Sequence, residues 1–149
     1  MSFSLGAAFA QTTDEAAWKP RTGDAWVDAA LLDTNAYAGR HRDAFVDELA
    51  RYQSAPRALV EEALAGGAMP GDVYFACAMA QALGRPCREL LDAMAADPEA
   101  GWEGVLRDLD AGHAPDALGR VKRGIVESYA RWARPIQPDA VPRRQTSGR

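Results

Sequence analysis

The stretch DVYFACAMAQALGRPC, residues 72–87, decides the fold class of this chain. Up to Leu83 it is apolar on nearly every side and contains four alanines but only one β-branched residue, Val73. Alanine loses no side-chain entropy in a helix, whereas β-branched residues fit pleated strands better. Gly84 then supplies a helix stop, and Pro86 suits the first turn of a new helix. The stretch predicts a central buried helix, a sharp turn and the start of a second helix.

Glycine and proline divide the rest of the chain into further short segments with apolar residues at helical spacing. We predict a third helix that is capped by Ser54 and ends at Gly66. The other predicted helices span about 24–38, 42–52, 72–83, a segment from 87, a short helix or turn from 97, and 116–132. No segment shows sustained alternation, so no sheet is expected. The fold class is all-α, an irregular compact bundle of six to seven short helices with a disordered C-terminal tail.

The chain of 149 residues is long enough for one domain with its own core. We expect a signal-peptide remnant and irregular lead-in over 1–21, a single helical domain over 22–132, and a basic, proline-containing tail over 133–149. Five arginines and one acid fall between residues 131 and 149, so this end carries about +4 in a chain of net charge −4. Such an end is typical of a solubilising terminus.

The first ten residues, MSFSLGAAFA, carry no charged side chain and end in a small-x-small pattern before a polar, acidic stretch. This arrangement is typical of a signal-peptidase site. The basic region and most of the apolar region of a signal peptide are missing, which a start codon assigned too late would explain. An ordinary irregular N-terminus is the alternative. No other segment approaches the ~20 apolar residues that span a bilayer, so we do not expect an integral membrane protein.

Cys77 and Cys87 are the two cysteines of the chain. An even number in an exported chain is compatible with a disulfide, which would close a short loop. Two buried free thiols that act as small apolar side chains are the alternative. The distance between the two Cα atoms decides between them.

Several short motifs lie between Trp26 and Trp132: DAFVDEL at 43–49, APRxLV at 55–60, PGDVY at 70–74, ACA at 76–78, GRPC at 84–87 and GW at 101–102. In these motifs the chain resembles a group of small, functionally uncharacterised all-α proteins from proteobacteria. The resemblance implies export, and it supplies no catalytic residues.

Catalytic and metal-binding patterns are weak. The two histidines, His41 and His113, fall in predicted turns. Together with Cys77 and Cys87 they match no compact zinc spacing, and a Cys–His nucleophile pair is not indicated. The paired carboxylates, such as Asp47 with Glu48, are interpreted as solvated surface because neighbours in sequence do not share a helix face. We therefore predict no catalytic residue, no metal and no cofactor.

A helix-turn-helix unit is the more serious alternative, because compact helical pairs precede and follow residue 97. Arg120, Lys122 and Arg123 lie near the start of the last helix, but the acidity of the chain does not favour nucleic acid. Trp18 and Trp132, at the two edges of the domain, could belong to a contact surface or to the rim of a cleft.

The leading functional hypothesis is therefore a non-enzymatic, periplasmic or secreted helical domain that acts through protein–protein contacts in the cell envelope. A cytoplasmic DNA-binding regulator is the second hypothesis, and an enzyme with an unrecognised site is the third. The sequence leaves the partner, the ligand and the oligomeric state open.

Overall fold

A computed structural model describes residues 18–109 and 116–136 of the chain. These residues form seven α-helices, one 3₁₀ turn and no strand, which confirms the predicted all-α class. The helices are α1 (Ala25–Arg40), α2 (Arg42–Tyr52), α3 (Arg57–Ala65), α4 (Pro70–Leu83), α5 (Cys87–Ala96), α6 (Gly101–Asp108) and α7 (Ala117–Arg131), with the 3₁₀ turn at Pro98–Ala100. The proposed signal remnant and most of the basic tail lie outside the described residues.

Helix α4 forms the centre of the bundle. Every residue from Val73 to Ala80 is buried, and α4 packs against α1, α5 and α7. The alanines on α4 present little side-chain bulk, so neighbouring helices can approach it from several sides. Phe75, for example, packs against the fully buried Trp102 of α6, with ring centroids 5.1 Å apart. The stretch that predicted the fold class therefore also lies at the centre of the core.

The turn between α4 and α5 follows the predicted pattern with one difference. Gly84 has a φ of 69°, in the left-handed region that glycine adopts without a steric cost. The N–H group of Arg85 donates a hydrogen bond of 2.8 Å to the carbonyl of Ala80, as expected at a helix end that closes through a left-handed residue. Pro86 occupies the N-cap position of α5, one residue before the first turn where the sequence placed it.

The prediction that Ser54 caps the third helix is wrong. Ser54 has a φ of 52° and belongs to the turn that closes α2, where the N–H group of Ala55 donates to the carbonyl of Leu49. The N-cap of α3 is Pro56, which makes no side-chain cap hydrogen bond. At the start of α1, by contrast, the Asp24 side chain accepts a 2.9 Å hydrogen bond from the N–H group of Val27.

The segment that follows α7 packs against the first helix. Arg134 donates two hydrogen bonds, of 2.6 and 2.7 Å, to the Asp33 carboxylate on α1. Ile136 packs against the core. The beginning of the region predicted as a tail, up to residue 136, thus forms part of the folded domain.

Candidate functional site

A cavity of about 530 Å³ opens between the lead-in segment, α3, the first turn of α4 and α5. We call it the Asp72 cleft. Its volume lies within the range of small-molecule sites, roughly 300–1,000 Å³. Most of its wall is apolar, formed in part by Leu59, Ala63, Ala68, Leu91, Met94 and Ala95. Among the described residues, the charged side chains that line it are Lys19, Glu62, Asp72, Arg88 and Asp92.

Asp72 places a carboxylate beside the indole N–H groups of two tryptophans. Trp102 donates to Oδ1 over 2.8 Å, and Trp18 donates to Oδ2 over 3.1 Å. Burial raises the pKa of the Asp72 carboxyl, and the hydrogen bonds from Trp102 and Trp18 oppose that rise only in part. Among the described residues, no lysine or arginine contributes to this shift. The cleft therefore contains a desolvated carboxylate whose side-chain partners in the described part of the chain are both neutral.

The lead-in segment, residues 18–23, forms one wall of the cleft and is fixed to the start of α6. Trp102 donates its backbone N–H to the carbonyl of Pro20 over 3.0 Å, and Glu103 donates to Arg21 over 2.8 Å. These are N–H groups of a first helical turn, which have no partner within their own helix. The Arg21 guanidinium donates in return to the carbonyl of Glu99 over 2.5 Å. The lead-in thus caps α6 and holds the cleft wall in place.

A close approach at Gly71 sets the position of Trp18. A Cβ atom at Gly71 would lie 2.7 Å from Cη2 of Trp18 and 2.8 Å from the carbonyl oxygen of Leu31. The N–H group of Gly71 donates over 2.6 Å to Oδ1 of Asn35 on α1. Only glycine leaves room for both neighbours, so this residue allows Trp18 to lie across the first turn of α4, beside Asp72.

The two cysteines connect α4 to α5. Their sulfur atoms lie 2.01 Å apart, at disulfide-bond distance, and their Cα atoms are 4.5 Å apart. Of the two alternatives drawn from the sequence, this arrangement corresponds to a disulfide and not to two free thiols. Cys77 and Cys87 are both buried.

The described structure does not form a metal site or a catalytic pair from His41 and the two cysteines. His41 lies exposed between α1 and α2, where its ring is 4.9 Å from that of Tyr37. His113 lies outside the described residues. No group of three or more His, Cys, Asp or Glu side chains that could hold a metal ion occurs within residues 18–109 and 116–136.

The interpretation of Glu48 as a solvated surface carboxylate is wrong. Glu48 is 4% exposed and accepts a 3.0 Å hydrogen bond from the Ser128 hydroxyl. It also pairs with Arg131 over 2.5 Å, and the Ser128 hydroxyl lies 2.7 Å from that of Tyr74. Ser128 and Tyr74 are almost fully buried. This polar network joins α2, α4 and α7 and lines a second cavity, of about 300 Å³.

The basic residues near the start of α7 face acids of the same chain. Lys122 pairs with Asp24 over 2.5 Å. Arg120 and Arg123 lie 3.5 and 3.7 Å from Asp116. A recognition helix needs cations that project toward phosphates and bases. Pairing with nearby acids reduces the net positive field of this surface and weakens the DNA-binding alternative.

Comparisons with protein-family models, curated proteins and solved structures give no match to this chain. Within the described part of the chain, no helix combines the length and the apolar character required to cross a bilayer. The geometry of the Asp72 cleft is therefore what indicates a functional site. The Asp72 cleft combines a concave apolar surface with a charged group in an unusual environment, and these two features mark binding sites.

Proposed function

We propose that this chain is a non-enzymatic, exported helical domain that acts in the cell envelope by binding a protein partner in the Asp72 cleft. The observation that carries the proposal is a concave, mostly apolar cavity of about 530 Å³ with a desolvated carboxylate in it. The occupant is a partner segment that places the apolar part of a side chain between α3 and α5.

The fixed walls of the cleft support a binding role. The lead-in is hydrogen-bonded to α6, and α3 and α5 flank the cavity on the other side. A preformed site avoids the cost of ordering loops when a partner binds. No histidine, cysteine, serine or threonine lines the cleft within the described chain, so Asp72 has no hydroxyl, thiol or imidazole group beside it there. Binding therefore accounts for this arrangement better than covalent catalysis does.

The cysteine pair supports the exported location. Disulfides persist in oxidising compartments and are rare in a reducing cytoplasm. Cysteines at disulfide-bond distance between two core helices are compatible with folding in such a compartment. The small-x-small pattern at residues 8–10 of the sequence favours the same location.

Site-specific photo-crosslinking in intact cells tests the contact. A photoreactive phenylalanine analogue replaces Leu91, which lines the cleft, or Val126, which is 47% exposed on α7 and serves as the matched control. We expect one discrete adduct from position 91 and none of that size from position 126. The adduct should be lost when Ala63 on the opposite wall is replaced by tryptophan. Equal adducts from both positions, or an adduct unaffected by Ala63→Trp, would contradict the proposal.

The location is tested separately by trapping thiols. Cells are quenched with acid and alkylated, and the state of Cys77 and Cys87 is measured by mass spectrometry in the soluble envelope fraction and in the cytoplasm. We expect the chain in the envelope fraction with both cysteines oxidised. A chain that stays in the cytoplasm with alkylated thiols contradicts export, whatever the crosslinking shows.

A further inference from the structure

We propose that the Asp72 cleft binds an organic ammonium group carried on an apolar stem, with the ammonium against the Asp72 carboxylate. This inference rests on the proposed function in using the same cleft, and it names the chemistry of the group that enters it. A lysine side chain of a protein partner and a free alkylamine share this chemistry.

The hydrogen bonds that Asp72 accepts from the described side chains leave acceptor capacity unused. An ionised carboxylate offers about four lone-pair positions on its two oxygens. The indoles of Trp102 and Trp18 each occupy one, on different oxygens. A carboxylate removed from water is strongly favoured by a cation that donates to it, because charge-assisted hydrogen bonds strengthen in a low-dielectric site. An ammonium group has three donors and a full positive charge, whereas each indole supplies one neutral donor. The ammonium therefore provides the positive charge that the two indoles lack.

The other charges around the cleft also favour a cation. Glu62 on α3 and Arg88 on α5 face each other over 3.7 Å and largely offset each other. Asp72 and Asp92 then stand against Lys19, so the described residues that line the cavity carry a net charge of −1. An anionic ligand would meet an uncompensated carboxylate, whereas an ammonium brings the cavity to neutrality.

The shape of the cleft specifies the rest of the ligand. Its walls on α3 and α5 present Leu59, Ala63, Leu91 and Met94. A methylene stem can cover such a wall while its charged end reaches a polar group, as lysine side chains do at protein surfaces. A small inorganic cation would leave this apolar surface uncovered. The combination selects an amine with an apolar body.

Nuclear magnetic resonance of the indole N–H groups provides the test. The chain has four tryptophans, so its indole region contains four resonances. The probes are phenylbutylamine and its neutral counterpart phenylbutanol, titrated into the full chain at pH 8. A second pair consists of acetyl-Leu-Lys-Leu-amide and the same peptide with norleucine in place of lysine. Trp26 and Trp132, which do not line the cleft, serve as internal controls.

We expect the ammonium member of at least one pair to bind roughly ten- to a hundredfold more tightly than its neutral counterpart, as a charge-assisted hydrogen bond implies. The resonances of Trp18 and Trp102 should shift. Tighter binding of the peptide indicates a lysine of a protein partner, and tighter binding of the free amine indicates a small molecule. Equal binding of ammonium and neutral probes overturns this inference but leaves an apolar protein contact in place. No binding of any probe at millimolar concentration overturns the ammonium site, and the crosslinking experiment then decides the proposed function by itself.

Two variants locate the effect. Asp72→Asn should abolish the preference for the ammonium probe, whereas Asp92→Asn, which removes an acid from the same cavity, should reduce it less than threefold. Because the preference is measured first in the unmodified chain, the inference stays testable if Asp72→Asn does not fold. An ammonium preference that survives Asp72→Asn in a folded protein contradicts the assignment.

Discussion

Loss of the bridge between Cys77 and Cys87 should destabilise the domain by a predictable amount. The two residues are separated by 10 positions. The chain-entropy relation for a loop of that length gives about 2.7 kcal/mol at 25 °C. The linked helices α4 and α5 also pack directly on each other, so the reduced protein should keep its fold. The full effect should therefore appear in the free energy of unfolding, with little change in the native structure.

Urea unfolding with and without a reductant measures this effect. With an m value of ~1–3 kcal/mol/M for a domain of this size, the midpoint should fall by roughly 0.9–2.7 M when the bridge is reduced. A Cys77→Ala, Cys87→Ala double variant is the control, because alanine leaves no unsatisfied hydroxyl at two buried positions. Its midpoint should not respond to reductant. A midpoint that moves by less than ~0.3 M in the unmodified protein would refute the reasoning.

Three further outcomes follow from particular contacts. Glu48→Gln should cost about 2 kcal/mol, because it removes the charge that Arg131 faces inside a buried network; unfolding in urea measures this, and a loss under ~0.5 kcal/mol would contradict it. Gly71→Ala should cost about 1–3 kcal/mol and shift the indole resonance of Trp18, since the new methyl group would overlap that ring; an unshifted resonance would be the contrary result. For Asp72, whose pKa is raised by burial, the folded state holds a proton that the unfolded state has already released. Its contribution to stability is therefore fully present below the unfolded pKa of about 3.9 and is lost as pH rises through the folded pKa. The stability of the unmodified protein relative to Asp72→Asn should fall as the pH rises above about 4, and a flat difference would contradict the shift.

Local sequence signals predicted most of the helical architecture because they act within one or two turns. The second helix was predicted over 42–52 and is observed at Arg42–Tyr52. The glycine at position 84 predicted the left-handed residue after α4, and the apolar composition of α4 predicted its burial. Ser54 shows the limit of such reasoning. Its hydroxyl suits a cap, but the turn that closes α2 requires a left-handed residue there and leaves the cap position to Pro56.

The same local signals did not predict the candidate site. Asp72 was recognised as a residue of a helix start, and its position in the first turn of α4 agrees with that. Its partners, however, lie 54 residues before it and 30 residues after it. Periodicity carries no information about pairings over such separations, which depend on how helices cross. The burial of Glu48 was not predicted for the same reason, since its partner Arg131 is 83 residues away.

The two indoles do not depend equally on Asp72, and this difference bears on how a ligand would enter. Trp102 is fully buried, so a ligand that displaced its N–H group from Oδ1 would leave this donor without its partner among the described residues, at a cost of about 1–3 kcal/mol. Trp18 is partly exposed and lines the cavity, so its N–H group can turn to water instead. An incoming ammonium that uses the remaining lone pairs should therefore approach Oδ2, where a shift of the Trp18 N–H group costs least. The Trp18 resonance should then move further than that of Trp102 on titration. A larger shift at Trp102 would place the ligand on Oδ1 instead, beside the indole that packs against Phe75 in the core.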